Sequence, residues 1–229
     1  MARTLKYDKS GTLKWKSSYP VAEDTVSSPN HIFLDSNGYL YIICQIHRNV
    51  QDPPLDSYLI QALKFDTQGN FFWDDVFRDD TKGYRISSAC FGSGGFYVTG
   101  AISTSFPATF LLGIGTNGKL FSNRRPPDAR DGREPGCALV GDDRGFVHVT
   151  GNSHFADTEG LYHGTDGTEI ATLTYYHGTL LKERRYAGSP YLQSLGGRAI
   201  AVDSKDNIIV AGQTFSGQSR DIVVLRYPP

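Results

Sequence analysis

The chain has 229 residues, of which 39% are hydrophobic and 12% aromatic, enough apolar material for the core of one all-β domain. Its 23 basic and 24 acidic residues leave a formal net charge of −1, so no overall field favours nucleic acid, an anionic membrane or a polycationic partner. The three cysteines lack CxxC spacing and are odd in number, which indicates neither a disulfide framework nor a zinc site.

The sequence opens MARTLKYD, without the apolar core of a signal peptide, and no window approaches the roughly 20 apolar residues that span a bilayer. We therefore expect a soluble protein that has neither a membrane nor a nucleic acid as its partner. The cytoplasm is the default compartment. The compartment stays open, because a protein whose leader has been cleaved would show the same sequence.

The first predicted elements are two strands, 2–7 and 11–19, that form a hairpin in the sequence LKYDKSGTLKW. The same pattern returns as LKFDTQGNFFW, as LGIGTNGKLF and, one residue shorter, as LTYYHGTLLK, and the final VLRYPP begins it again. Each copy is an apolar-rich strand, a tight turn of Gly or Asn, and another strand, which is typical of a β-hairpin.

A second hairpin pattern alternates with the first. It reads DSNGYLYIIC, FGSGGFYVTG, DDRGFVHVTG and DSKDNIIVAG, and these copies end at positions 44, 100, 151 and 212. The two patterns together make a unit of four strands, A-B and C-D. No stretch has apolar residues at i, i+3, i+4 and i+7 over three turns, so no helix is predicted.

Four-stranded units that return about four times predict an all-β fold, a β-propeller of about four to five antiparallel blades in a single domain, 1–229. The chain ends in a strand C at 221–227, so the N-terminal strand is expected to close the last blade. The sequence then contains one strand C more than the blades require. This surplus terminal strand could cover the edge of a sheet or pair with a second copy of the chain in a homo-oligomer. A β-sandwich is the alternative, although it would not require the hairpin pair to return.

The segment AIAVDSKDNIIVAGQTFSGQSRDIVVLRY, together with KYDKSGTLKW and KFDTQGNFFW, resembles the bacterial SBBP-type repeats of β-propeller proteins. The resemblance covers most of the chain and is sharpest in the last unit and in the two hairpins that end in Trp. It implies the propeller fold. It implies no reaction, because the family has no catalytic set that could be transferred to these residues.

The predicted connections are unequal in length. The A-B and C-D turns have two to four residues, whereas the B-C and D-A connections are long and would surround the mouth of a propeller channel. Functional residues favour long loops on a rigid scaffold. The candidates that we assign to these connections are His47, Arg48, Asp52, Arg85, Arg124, Arg125, His154, Asp157, Tyr162, His163, Arg185, Tyr186 and Arg198.

An Arg-rich and His-rich mouth suits carboxylate, phosphate or sulfate groups, so the first hypothesis is a module that binds an anionic small molecule, glycan or protein segment. Its ligand-binding candidates are Arg48, Asp52, Arg124, Arg125, Asp157, Tyr162, Arg185 and Tyr186. The alternative is a lyase, cyclase or hydrolase in which His47, His154 or His163 is the base and Arg85 or Arg198 stabilises developing negative charge. A scaffold in a larger assembly is the third hypothesis.

No metal or other cofactor is predicted. The spacing of His154, Asp157 and His163 matches no zinc signature, and the sequence contains no GxSxG, HExxH or P-loop motif. A catalytic set assembled from several blades would leave no trace in the sequence, so enzyme and binding module both stay open. His31 and His148 fall in predicted strands, where a structural role is expected.

Overall fold

The computed structural model describes residues 2–19, 25–48, 58–77, 83–103, 108–124, 136–154, 168–187, 193–215 and 218–229. Every regular element in these ranges is a β-strand, which confirms the all-β prediction. No helix among them is long and apolar enough to cross a membrane. The chain divides into two compact units, Met1–Ile86 and Ser87–Pro229.

The first unit contains two antiparallel sheets. Its strands are β1 (Ala2–Tyr7), β2 (Leu13–Tyr19), β3 (Thr25–Leu34), β4 (Leu40–Arg48), β5 (Tyr58–Phe65) and β6 (Phe71–Phe77). Strands β1 and β2 form a hairpin, and β3 to β6 form a four-stranded sheet in chain order. Strand β7 begins in this unit and continues into the second.

The second unit contains three sheets. Its strands are β7 (Gly83–Gly92), β8 (Gly95–Ser103), β9 (Ala108–Gly115), β10 (Leu120–Arg124), β11 (Gly136–Gly141), β12 (Phe146–His154), β13 (Thr168–Tyr176), β14 (Thr179–Tyr186), β15 (Gln193–Val202), β16 (Ile208–Phe215) and β17 (Arg220–Tyr227). Strands β7 to β10 and β11 to β14 form four-stranded sheets in chain order, whereas β15 to β17 form a sheet of three.

Five of the described short turns share one hydrogen-bond pattern. In the turn after β3, the carboxylate of Asp35 accepts hydrogen bonds from the backbone N–H groups of Asn37 at 2.9 Å and Tyr39 at 3.0 Å. Asp and Asn favour turns because their side chains replace a backbone acceptor in this way. The same pair of bonds forms at Asp8, Asp66, Asp142 and Asp203.

In the first unit, the β1–β2 hairpin covers one face of the β3–β6 sheet. Trp15 and Tyr19 of β2 pack against a buried cluster formed by Leu40, Ile42, Cys44, Leu63 and Phe65. The indole N–H of Trp15 also donates to the carbonyl oxygen of Thr67 at 3.2 Å. Burial of this apolar surface stabilises the unit, at roughly 25 cal/mol for each Å² removed from water.

In the second unit, consecutive sheets pack face to face. One core joins Tyr97 and Leu111, from the β7–β10 sheet, to a group from the β11–β14 sheet that comprises Leu139, Val147, Val149, Leu173 and Tyr175. A second core joins Ile170 of β13 to Ile208 and Val210 of β16. The sheets of this unit therefore pack in the order in which they occur along the chain.

The sheet of three strands has an exposed outer strand. Strands β5, β9 and β13 occupy the third position of their sheets and are mostly buried on both faces. Strand β17 occupies the same position, yet Ile222 is 81% exposed and Val224 63% exposed. Among the described strands, β17 pairs only with β16. An unpaired edge of this kind can accept a further strand.

Candidate functional site

The main candidate site lies in the first unit, where β4 ends and β5 begins. The antiparallel register places His47 opposite Tyr58, and the centres of their rings are 4.8 Å apart. The guanidinium carbon of Arg85, in β7, lies 4.8 Å from the centre of the same Tyr58 ring. We call His47, Tyr58 and Arg85 the Tyr58 cluster. It brings together two of the five predicted catalytic residues.

The register of β4 and β5 determines this geometry. Pairing runs without interruption from Leu40 opposite Phe65 to His47 opposite Tyr58. A slip by one residue would exchange the side chains that β5 packs on its two buried faces, so close packing of the core holds the pairing in place. The sequence analysis missed Tyr58. Its position as the first residue of β5, after the connection 49–57, is the signal that could have indicated it.

Gln45 positions the third member of the cluster. Its side-chain amide donates to the carbonyl oxygens of Leu59 and Tyr84, and its carbonyl oxygen accepts from the backbone N–H of Ile86 at 2.9 Å. The two bonds to β7 flank Arg85 on either side. Gln45 therefore fixes the backbone that carries Arg85 beside β4. The only sequence signal was a single amide in the apolar strand YIICQIH.

The Tyr58 cluster combines a planar cation, an aromatic ring and an imidazole. A guanidinium that stacks on an aromatic ring uses its flat face, and the N–H donors at the edge of the guanidinium stay directed away from the ring. Those donors match a carboxylate or a phosphate, and an imidazole can donate or accept one more hydrogen bond. Arg85 is exposed and His47 is partly buried. The arrangement can bind a ligand in which an anionic group is attached to a flat or apolar body.

In the second unit, Arg185 and Tyr186 have partners within the protein. The guanidinium of Arg185 pairs with Glu169 at 3.5 Å and with Glu183. Glu169 is only 6% exposed, and burial raises the pKa of its carboxyl while the charge of Arg185 opposes that shift. Tyr186 packs against the core around Ile170. The ligand-binding roles of Arg185 and Tyr186 stay predictions, and the sequence analysis missed Glu169.

The remaining candidates lie at a strand irregularity, at the ends of strands or outside the described ranges. Arg198 is an exposed residue at an irregularity of β15. Arg48, Arg124 and His154 are the last residues of β4, β10 and β12, and their side chains are outside the described part. Asp52, Arg125, Asp157, Tyr162 and His163 fall wholly outside the described ranges. Several candidates assigned to loops by sequence thus lie in strands, which extend further than predicted.

The two histidines that lie in strands, His31 and His148, contact other side chains of the protein. His148 is buried, its Nδ1 lies 3.0 Å from the hydroxyl of Thr174, and its Nε2 lies 3.7 Å from the Asp142 carboxylate. Burial lowers the pKa of His148 and also that of His31, whose ring stacks on Phe33.

The described residues define the protein as an all-β chain of small antiparallel sheets with a His, Tyr and Arg cluster at the end of one sheet. Among these residues no group of three His, Cys, Asp or Glu side chains could hold a metal ion. A scan against models of protein families gives no match for this chain, and a search of curated proteins also gives none.

Proposed function

We propose that this chain is a ligand-binding β-propeller, in which the Tyr58 cluster binds an anionic small molecule, glycan or protein segment. The observation that supports the binding role is the stacking of Arg85 on Tyr58 beside His47. A cation held against a ring and flanked by the Gln45 hydrogen bonds loses little rotamer freedom when a ligand arrives, so more of the interaction energy appears as affinity.

Three features support the propeller. The four-stranded sheets have the same strand order, five of the described short turns share the Asp hydrogen-bond pattern, and in the second unit consecutive sheets pack face to face. We further propose that the sheets are SBBP-type repeats, about four to five blades in all, and that an N-terminal strand closes the last blade, β15–β17. The observation behind this step is that this sheet has three strands among the residues that the structure describes.

The enzyme is the second candidate function. It would be a lyase, cyclase or hydrolase in which His47 takes a proton and Arg85 stabilises the negative charge that develops. What favours it is that both residues contact the same ring. Substitution of a catalytic base reduces turnover by a factor of about 10² to 10⁴, whereas a binding residue that is not catalytic mainly affects affinity.

The binding proposal is tested by a thermal-shift screen with acidic sugars, phosphate esters, sulfate esters and dicarboxylates, because a ligand of the folded state raises its apparent stability. Each hit is titrated against Arg85→Ala and Tyr58→Ala, with Arg220→Ala as a control of equal charge change on β17. We expect Arg85→Ala to weaken binding about tenfold or more, because a charge-assisted bond is lost. Unchanged affinity in both cluster variants would eliminate this site.

The exposed edge of β17 also supports an alternative to closure by the N-terminal strand, in which this edge pairs with a second copy in a homo-oligomer or docks the chain as a scaffold. Size-exclusion chromatography with light scattering gives the oligomeric state. Ile222→Lys and Val224→Lys should dissociate an oligomer that uses this edge, because charged side chains on an edge oppose strand addition. A wild-type protein that is monomeric at all concentrations contradicts pairing between two copies.

A further inference from the structure

A second basic site lies in the unit Ser87–Pro229, on the side of the β11–β14 sheet where its short turns lie. It is a groove with a volume of about 210 Å³. Three cationic residues line it, Arg144, Lys182 and Arg184, and its apolar wall includes Phe146, Leu181 and Ile208. The groove is smaller than the roughly 300–1,000 Å³ pockets of drug-sized ligands, so only a small ligand fits.

Two of these cations have no carboxylate partner in the described part of the chain. Arg184 donates to the carbonyl oxygen of Pro228 at 2.7 Å and to the hydroxyl of Thr174 at 3.5 Å, and its guanidinium carbon lies 5.2 Å from the centre of the Tyr227 ring. All three of these groups are neutral. Lys182 likewise has no carboxylate within 4.0 Å among the residues described.

Arg184 is partly buried, and burial lowers the pKa of its guanidinium without removing its charge at neutral pH. A positive charge taken out of water without a counter-ion raises the free energy of the folded state. An anion beside Arg184 would offset part of that cost. The partly buried Arg184 therefore favours a negatively charged ligand more strongly than a fully exposed lysine would.

The remaining cation is already paired. Arg144 contacts the carboxylate of Asp142 at 3.0 Å and that of Asp206 at 3.7 Å. At the floor of the groove, burial lowers the pKa of His148 and the carboxylate of Asp142 opposes this shift, while the charges of Arg184 and Arg144 each lower the pKa by a smaller amount. The fields of the two guanidinium groups therefore overlap at the groove.

We propose that this groove binds a small organic anion, a single carboxylate or phosphate attached to a compact aromatic or aliphatic body. Lys182 and Arg184 bind the anionic group, and Phe146 and Leu181 contact the apolar part. The site shares no residue with the Tyr58 cluster and lies in the other unit, so it extends the proposed function and does not depend on it.

The test is an NMR titration of the full chain, labelled with ¹⁵N, with benzoate and phenyl phosphate, and with benzamide as the neutral analogue of benzoate. We expect saturable amide shifts at residues 144–148 and 180–184 for at least one anion, weakened by added salt because the contacts are partly exposed, and none for benzamide. Binding of both anions assigns the site to anionic groups in general, and binding of one alone identifies the preferred group.

Arg184→Gln and Lys182→Gln should each weaken binding about tenfold, because each removes one charge-assisted contact. Arg220→Gln, on β17, is the matched control and should bind normally. Lys182 is exposed, so its variant keeps the fold and preserves the test if Arg184→Gln does not fold. No saturable shift with either anion, equal binding of benzamide, or unchanged affinity in the Lys182 variant would each overturn the proposal. Shifts at His47 and Tyr58 report the other site separately.

Discussion

The ammonium nitrogen of Lys64 lies 4.3 Å from the centre of the Tyr39 ring. It is also 5.0 Å from the centre of the Tyr41 ring and 5.3 Å from that of Phe72. Three aromatic rings from β4, β6 and the turn before β4 thus surround one cation on β5. A cation over aromatic faces is attracted by their quadrupoles, so this arrangement links neighbouring strands of the β3–β6 sheet.

Replacement of this cation should destabilise the first unit. Met keeps the unbranched shape of Lys but has no charge, so Lys64→Met should lower the free energy of unfolding by about 1 kcal/mol. Urea denaturation followed by circular dichroism measures the change. Lys16→Met, at an exposed position of β2, is the control and should have little effect. Equal losses in the two variants would show that the rings contribute nothing specific.

The aspartates of the turns should make the free energy of unfolding depend on pH. Hydrogen bonds from Ser10, Lys14 and the Thr12 backbone lower the pKa of Asp8 from 3.8 to about 2, and hydrogen bonds from neighbouring turn groups also lower the pKa values of Asp66 and Asp203. A carboxyl whose pKa is lowered by folding stabilises the protein above its unfolded pKa, and this contribution is lost as the pH falls through the folded value.

We therefore expect the urea midpoint to fall between about pH 4 and pH 2. Asp66→Asn tests the cause, because its amide oxygen can accept the same two backbone hydrogen bonds but does not titrate. Its midpoint should change less over this range than that of the wild type. An identical pH profile would show that Asp66 does not contribute to the acid sensitivity.

Gly11 and Gly69 have similar backbone angles but different surroundings, so substitutions at these two positions separate the cost of backbone strain from the cost of a steric clash. Gly11 and Gly69 have φ angles of 83° and 86°, a region that other residues adopt at a cost of about 1–2 kcal/mol. A Cβ on Gly69 would lie 2.6 Å from the Trp15 ring, whereas a Cβ on Gly11 would meet no atom within 4 Å. Gly69→Ala should therefore be more destabilising than Gly11→Ala, by about 1–3 kcal/mol for the displaced ring. Thermal denaturation measures both, and equal losses would contradict close packing of Trp15.

Removal of the Gln45 amide should loosen the site. Gln45→Ala leaves the carbonyl oxygen of Tyr84 and the N–H of Ile86 without these partners, which should cost about 1–3 kcal/mol. Hydrogen exchange at the Ile86 amide should become faster, and ligand affinity at Arg85 should fall with it. Gln68→Ala, in an exposed turn, is the control. Unchanged exchange at Ile86 would show that Gln45 does not hold β7.

Much of the local structure was predictable from sequence. The strand 2–7, the turn at Asp35 and the turn at Asp66 were identified from alternating apolar residues and turn chemistry, and the structure confirms them. The strand predicted at 11–19 begins two residues later, at Leu13, because Gly11 belongs to the turn. The ends of strands were harder to predict. His47, Arg85 and Arg198 were assigned to connections but lie in strands, because pairing with a neighbouring strand extends them beyond the point where local preference would end them.

The sequence by itself determined five of the hairpins, because an aspartate in each of their turns bonds to backbone groups two and four residues away and needs no distant partner. Only the tertiary structure decided which side chains meet. Tyr58 reaches His47 through the register of a whole strand pair, Arg85 joins them because Gln45 binds β7, and the anion groove depends on where β12, β14 and β16 pack. These contacts join residues far apart in the chain, so they depend on core packing and not on any local pattern.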